Sequence, residues 1–379
     1  MIQVFCARIL SAKNTLLLGI LATLLLAAAT PAGACPFCSP SESDLFSQVT
    51  EAQVVCLVER VDAKKYRIGK PLKGKAPQGK IVIAADPIEG IPADAPYLLL
   101  STATSPNLPY WSDPAVALKE SELAFVKEAL RLGGSDSKKL NFAADHLGSS
   151  SPKISQAAYN ILASATMEEL QRAGARVGQE QLVAWAQNPK LSEQRRALFV
   201  VMALPGLGKQ DQKWLKDALF SPPKNAYSPL LGPLIMAYNQ ATGPSGIEEV
   251  EQVFLKPSLS ASSSYQALAS LMLIGQTSPS KLTRDRARDI FVRELRNPKR
   301  KTLAIGPLAV WGNYSVAETI ERMAVDNDDL SGVRIAAIRY FRTFKTPAAA
   351  AALERLKKLD PELVKKTTQP YKAADVFRF

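Results

Sequence analysis

Cys35-Pro36-Phe37-Cys38 is the sharpest chemical motif in this 379-residue chain, which has four cysteines and one histidine. The spacing is that of thiol–disulfide centres, where a helix N-terminus lowers the pKa of the first thiol. Such centres sit between a strand and a helix, whereas this motif follows a long apolar run. The structural reading is a tether, a bridge that closes on itself or pins the segment to a neighbouring sheet. Cys35, Cys38 and Cys56 are the cysteines available after the leader described below, so one bridge leaves one thiol over. The missing strand before the motif favours the tether over redox work. A zinc site would need more ligands, and the chain has no second CxxC and no histidine cluster. No cofactor and no metal are expected.

His146 stands beside Asp145 in Lys139–Leu147 (KLNFAADHL). A catalytic role would need a nucleophile and an acid brought close by the fold. The simpler reading is a histidine at a helix C-terminus, interacting with the last carbonyls before Gly148. The chain has no P-loop, dinucleotide glycine motif, nucleophile elbow or HExxH. No catalytic residue is assigned, and a binding protein is expected rather than an enzyme. A hydrolase or thiol-redox enzyme is the alternative.

Charge supplies the remaining signal. The chain carries a formal +12, unevenly placed. Residues 35–118 hold 8 basic and 9 acidic side chains, and residues 119–379 hold 37 and 26. Lys64–Lys80 contains seven basic residues and no acid, and Lys281–Lys301 contains nine basic and three acidic ones. Within the latter, Asp285/Arg288 and Asp289/Arg293 are spaced to pair along one helix. Lys299, Arg300 and Lys301 fall at a helix start, where the dipole disfavours cations. With Arg284 and Arg286 they make a candidate surface for an anionic partner, either an envelope component or an unidentified protein. Nucleic acid is excluded on compartment grounds.

The compartment comes from the first 34 residues. Arg8 and Lys13 precede the apolar stretch Thr15–Ala29 (TLLLGILATLLLAAA), and Ala32-Gly33-Ala34 offers a small-residue cleavage site before Cys35. This predicts a signal peptide over 1–34 and a secreted, periplasmic or cell-envelope protein. Two alternatives stay open: an uncleaved anchor over Thr15–Ala34, and a lipid on Cys35 through a loose lipobox. Membrane contact is expected only through one of these.

Two kinds of element must position the candidates. Residues 35–115 read as short strands: Ala52–Val58, Tyr66 toward Leu72, Ile81–Ile83 and Tyr97–Leu100, separated by Gly- or Pro-containing turns. They predict a small closed β-barrel, since closure removes open edges. Prolines break regular structure across Thr104–Pro114. Residues 119–379 read as helices. Leu123, Val126 and Leu130 define the first apolar face, and Val333, Ala337, Phe341 and Phe344 define a late one. Pro347 opens a partner helix with the stripe Ala349, Ala352, Leu353 and Leu356. Small-residue-centred helices recur at Ala158, Ala197, Ala237, Ala269, Ala304 and Ala337, at intervals of 32 to 40 residues. That spacing suits a helix-pair solenoid, with an irregular bundle as the alternative. The fold class is α+β multidomain.

Asp328–Leu356 (DDLSGVRIAAIRYFRTFKTPAAAAALERL) resembles a HEAT repeat, with its acidic turn, Val-Arg, Ala-Ala and second helix. HEAT-like arrays are protein-binding scaffolds, which is what the resemblance implies here. The N-terminal segment is similar to the netrin-like/OB barrel of metalloproteinase inhibitors, through CPFC, the strand AQVVCLVERV and Leu72-Lys73-Gly74. Those inhibitors begin Cys-x-Cys and carry several later cysteines, which this chain lacks. The arrangement also resembles uncharacterised secreted bacterial proteins joining such a segment to helical repeats. The inhibitor resemblance implies a further alternative, in which a mature N-terminal Cys35 chelates a protease's zinc through its α-amine and carbonyl. The expected function is non-catalytic binding or scaffolding in the envelope or outside the cell.

Overall fold

The computed structural model describes residues 35, 37–40, 43–62, 64–83, 96–101, 103–105, 108–111, 115–221, 227–256, 259–326 and 331–372. The leader-like segment and the acidic turn of the HEAT-like unit lie outside them. Helix α1 (Leu45–Glu51) begins where Asp44 Oδ1 accepts the Phe46 and Ser47 N–H groups at 2.7 and 3.1 Å. Ser47 Oγ accepts the Asp44 N–H in return, so each residue satisfies a backbone donor of the other.

An antiparallel sheet follows, built from β1 (Val54–Asp62), β2 (Lys65–Lys73), β3 (Ile81–Ile83), β4 (Tyr97–Ser101) and β7 (Val116–Ala117). Its order is β3-β2-β1-β4-β7. The expected closed barrel is not formed: β3 and β7 lie at opposite ends of the ladder and do not pair. With three and two residues they are too short to continue it, and short edges are one way an open sheet limits further pairing. Helices do the covering that closure would have done. Alternation along β1 sends Val55 to one face and Val54, Cys56 and Val58 to the other. Val55, Leu98 and Leu100 pack with Leu45, Phe46 and Val49 of α1, and with Phe125 and Val126 of α2 (Glu120–Ala129). The far face buries Cys56, Tyr66, Ile68, Tyr97 and Leu99 beside Ala115 and Ala117. Within Thr104–Pro114, β5 (Ala103–Ser105) and β6 (Leu108–Tyr110) form a two-stranded ladder where irregular chain was expected.

Among the described residues, everything after Ala117 is helix or connection. The series continues with α3 (Asp136–His146), α4 (Pro152–Ala163), α5 (Met167–Val177), α6 (Gln179–Gln187), α7 (Glu193–Ala203) and α8 (Gln212–Phe220). It runs on through α9 (Leu231–Thr242), α10 (Pro244–Phe254), α11 (Ala261–Thr277), α12 (Lys281–Glu294) and α13 (Lys301–Val310). Helices α14 (Ala317–Val325), α15 (Ser331–Thr343), α16 (Pro347–Leu359) and α17 (Pro361–Lys366) complete it. Many consecutive helices pack, and so do next-but-one helices: α3 with α5, α5 with α7, α7 with α9, α9 with α11, and α13 with α15. The result is a stacked helical array with one continuous apolar core. Gly174 permits the close passage of α5 and α7, since a Cβ there would overlap the Met202 carbonyl.

The six alanines expected at repeat centres are all buried, on α4, α7, α9, α11, α13 and α15. On α2, Val126 is buried with Phe125 and Ala129, and Leu123 and Leu130 pack, partly buried, against the same core. Ion pairs tie next-but-one helices, and the sequence does not announce them. Arg176 on α5 grips Asp145 on α3, Arg293 on α12 grips Glu251 on α10, and Arg355 on α16 grips Glu321 on α14. Among the described residues no helix is long and apolar enough to cross a membrane.

Near the end of the array, Val333, Ala337 and Phe341 are each at most 1% exposed. The Phe341 ring meets Tyr340 edge-on at 5.2 Å. Emptying that space in Phe341→Ala is expected to cost about 3–5 kcal/mol, read as a shifted midpoint in chemical denaturation. A loss under ~1 kcal/mol would place the ring at the surface.

Candidate functional site

The strand-like segment was expected to begin with the CxxC motif, but the motif belongs to the helical array. Residues 35, 37–40, 43 and 44 lie as a strap against α4, the turn that follows it and α9. The Cys35 N–H donates to the Ala165 carbonyl at 2.9 Å, and Tyr159 Oη donates to the Ser39 carbonyl at 3.2 Å. Phe37 lies against Gly232 of α9, where any Cβ would overlap its ring. Further on, Asn160 Nδ2 donates to Asp44 Oδ2 at 2.8 Å, so the residue that caps α1 is also anchored to α4. Glycine at 232 and a long-range tyrosine contact are therefore what the strap requires of the array.

Cys35 and Cys38 are both buried, with their sulfurs 2.6 Å apart. The Cys38 thiol donates to Cys35, which pulls the Cys35 pKa down and pushes that of Cys38 up; burial adds to the latter. The pair is placed to close on itself. Cys56 is out of reach in the core on the far face of the sheet, where burial pushes its thiol up to about 11. A bridge from the motif to the sheet is thus replaced by docking on helices, because the strap is tied to Ala165, Tyr159 and Gly232. Cys35 is 3% exposed and its backbone N–H is already engaged, so the described geometry offers no wedge for a protease's zinc.

Beside the strap, a cleft of about 970 Å³ opens between α1, β7, α4 and α7. Leu45, Ala115, Val116, Ala117 and Leu191 supply its apolar wall, and Lys153, Gln156 and Arg195 supply polar groups. Lys153 is committed elsewhere: its ammonium donates to the Ala117 carbonyl at 2.6 Å and lies 3.5 Å from Glu122. Burial works to raise the Glu122 pKa, but hydrogen bonds from Ser151 and the Lys119 N–H, with Lys153 nearby, hold it below the usual carboxylate range. Arg195 is different. Its Nη2 donates to Gln156 Oε1 at 3.0 Å and Ser155 Oγ at 3.4 Å, and its guanidinium lies 5.5 Å from the Tyr159 ring centroid. No carboxylate among the described residues forms an ion pair with it. Burial pulls its pKa down.

The other sequence candidates resolve into structural roles. His146 Nδ1 lies 2.9 Å from the Phe142 carbonyl, and its ring packs on Phe125 and Phe142. Asp145 turns to Arg176 instead, so the neighbouring pair is not a dyad. The basic surface is corrected at Arg300, which is 8% exposed. Its guanidinium holds Glu294 through contacts of 2.7 and 3.1 Å and caps the Leu255 carbonyl at 2.7 Å. That buried carboxylate offsets the unfavourable helix-start position that made the cation look like a surface group. Arg284 donates to the Ser278 and Pro279 carbonyls, and Arg286 lies 3.7 Å from Glu248. Asp285 takes Lys281 and Arg293 takes Glu251, rather than the expected partners Arg288 and Asp289. Lys299 is exposed and Lys301 partly so. Among the described residues no group of three His, Cys, Asp or Glu side chains converges for a metal ion.

Two outcomes follow from these contacts. After mild reduction, Cys35 and Cys38 should resist iodoacetamide in the native protein, because alkylation requires the strap to open. Gly232→Ala displaces Phe37 and should speed alkylation about tenfold for each 1.4 kcal/mol of docking lost; an unchanged rate would mean the strap does not depend on that contact. Separately, Arg300→Gln strands the buried Glu294 and should cost about 3–5 kcal/mol in chemical denaturation. Lys299→Gln should leave the midpoint where it is.

No family model, no curated protein and no solved structure matches the chain.

Proposed function

We propose that this chain is a non-catalytic binding protein of the cell envelope or the extracellular space, and that its ligand sits in the cleft where the sheet meets the helical array. The observation that carries the reading is the 970 Å³ cleft, which is of ligand-site size and walled by both halves of the chain. An apolar wall with a few convergent polar groups is the usual chemistry of such sites. The leader-like first 34 residues support the compartment. The excess of basic over acidic residues in 119–379 supports an anionic partner. The HEAT-like pattern near Val333 supports a scaffold role for the rest of the array.

A thiol-redox role is the second reading, favoured by the 2.6 Å sulfur contact and the opposite shifts of the two thiols. Burial of both sulfurs weighs against it, since a substrate disulfide must reach the attacking thiolate.

A ligand that binds only the folded protein raises its stability by about 2.7 kcal/mol at a hundred times Kd. Purified protein is therefore expected to melt several degrees higher with at least one fraction of envelope extract: lipid, glycan or peptide. The shift should persist in the Cys35→Ser/Cys38→Ser variant. No shift with any fraction, or turnover of a model disulfide that vanishes in that variant, would overturn the binding reading.

A further inference from the structure

Arg195 has five N–H donors in a planar fork, and its two protein hydrogen bonds both come from Nη2. Among the described residues, Nε and Nη1 donate to no protein acceptor, while the residue lines the cleft and is partly buried. Other arginines here show what the fold does with such a group. Arg300, more deeply placed, is matched by Glu294, and Arg176, Arg293 and Arg355 each take a carboxylate through two nitrogens. Lys153, the other cation on the cleft wall, already has Glu122 and a carbonyl. Asp44, the acid on that wall, is turned to the α1 N-terminus and to Asn160. A guanidinium that keeps unoccupied N–H donors and has no protein counter-ion in a partly apolar site is a partner for a carboxylate.

The rest of the wall narrows the ligand. Among the described residues that line the cleft none is aromatic, so they offer no flat face on which a base or an aromatic ring could stack. Its apolar part is made of small aliphatic side chains, which match a flexible hydrocarbon chain. Taking the cleft as the binding site proposed above, we infer that it takes an unbranched aliphatic carboxylate, a fatty acid. The head pairs with the Arg195 guanidinium through a single unoccupied N–H, on Nε or Nη1, and the chain lies along Leu45, Val116, Ala117 and Leu191.

Octanoate is the probe and 1-octanol its uncharged control, both titrated calorimetrically into the full chain. Octanoate is expected to bind wild type, and Arg195→Gln to weaken it about 10- to 100-fold, the value of charge-assisted hydrogen bonds. Arg195→Lys should recover part of the loss, and octanol should bind wild type and Arg195→Gln alike. Val116→Trp, which fills the cleft and leaves the cation in place, should abolish both; melting curves confirm that each variant folds. Octanoate binding that ignores Arg195, or no binding by wild type, overturns the inference. If octanoate fails while an envelope fraction still raises the melting point, the binding reading stands and the ligand is not a fatty acid. If both fail, the binding reading falls with it.

Discussion

The joint between the sheet and the helices depends on the strap formed by residues 35, 37–40, 43 and 44. An open sheet of five strands cannot bury its own face, and the first helices of a stacked array have no preceding repeat to cover them. The strap and α1 meet both needs. Asp44 caps α1, which lies on the sheet, and bonds Asn160 in α4; the cysteines sit in the core of the array and Phe37 packs against it. The described residues of the strap thus touch two hydrophobic cores. The cleft exists because this bridge holds α1 close to α4 without filling the space between them.

Further along, the array is held by two devices of unequal strength. The buried alanines and aromatic rings supply the free energy, since each methylene removed from water is worth about 0.8 kcal/mol. The cross-helix ion pairs are largely exposed, and pairs of that kind contribute between zero and about 1 kcal/mol each. Their value lies in register. Asp145–Arg176, Glu251–Arg293 and Glu321–Arg355 each join a helix to the next but one, so each fixes how one pair sits on its neighbour. Arg300 and Glu294 form the exception, a buried pair inside a single helix–turn–helix. Its retention suits a turn whose carbonyl at Leu255 needs a donor that an apolar residue would not supply.

Much of this was legible in the residues, and the boundary of legibility has a physical form. Periodicity reports which face of an element is apolar, so the alanine-centred helices and the α15–α16 pair could be read directly. Four of the strands were equally plain. Closure was not, because whether β3 meets β7 depends on chain far from either, and helices from beyond residue 118 can cover a sheet as well as closure does. Arg300 was misread for a related reason. Glu294 precedes it by six residues, a spacing that pairs nothing on one helix but does so across a turn. The partners of the CxxC strap are more distant still: Tyr159 and Gly232 lie 120 and almost 200 residues from it, and neither carries a local signal.

Arg195 and the basic run differ in how the fold uses their charge. The helical half has eleven more basic than acidic residues, and the dense run Lys281–Lys301 drew attention for that reason. Yet most of its arginines are engaged by carboxylates or by carbonyls at helix ends, where a cation also opposes the dipole favourably. Such cations are spent on the fold. Recognition calls for a charge that has lost part of its water without gaining a protein counter-ion, because only that group has more to gain from a ligand than from solvent. Density of charge along the sequence does not measure this; the balance of burial and pairing at each site does. By that measure the cleft beside Arg195 outranks the basic run that surrounds Lys299.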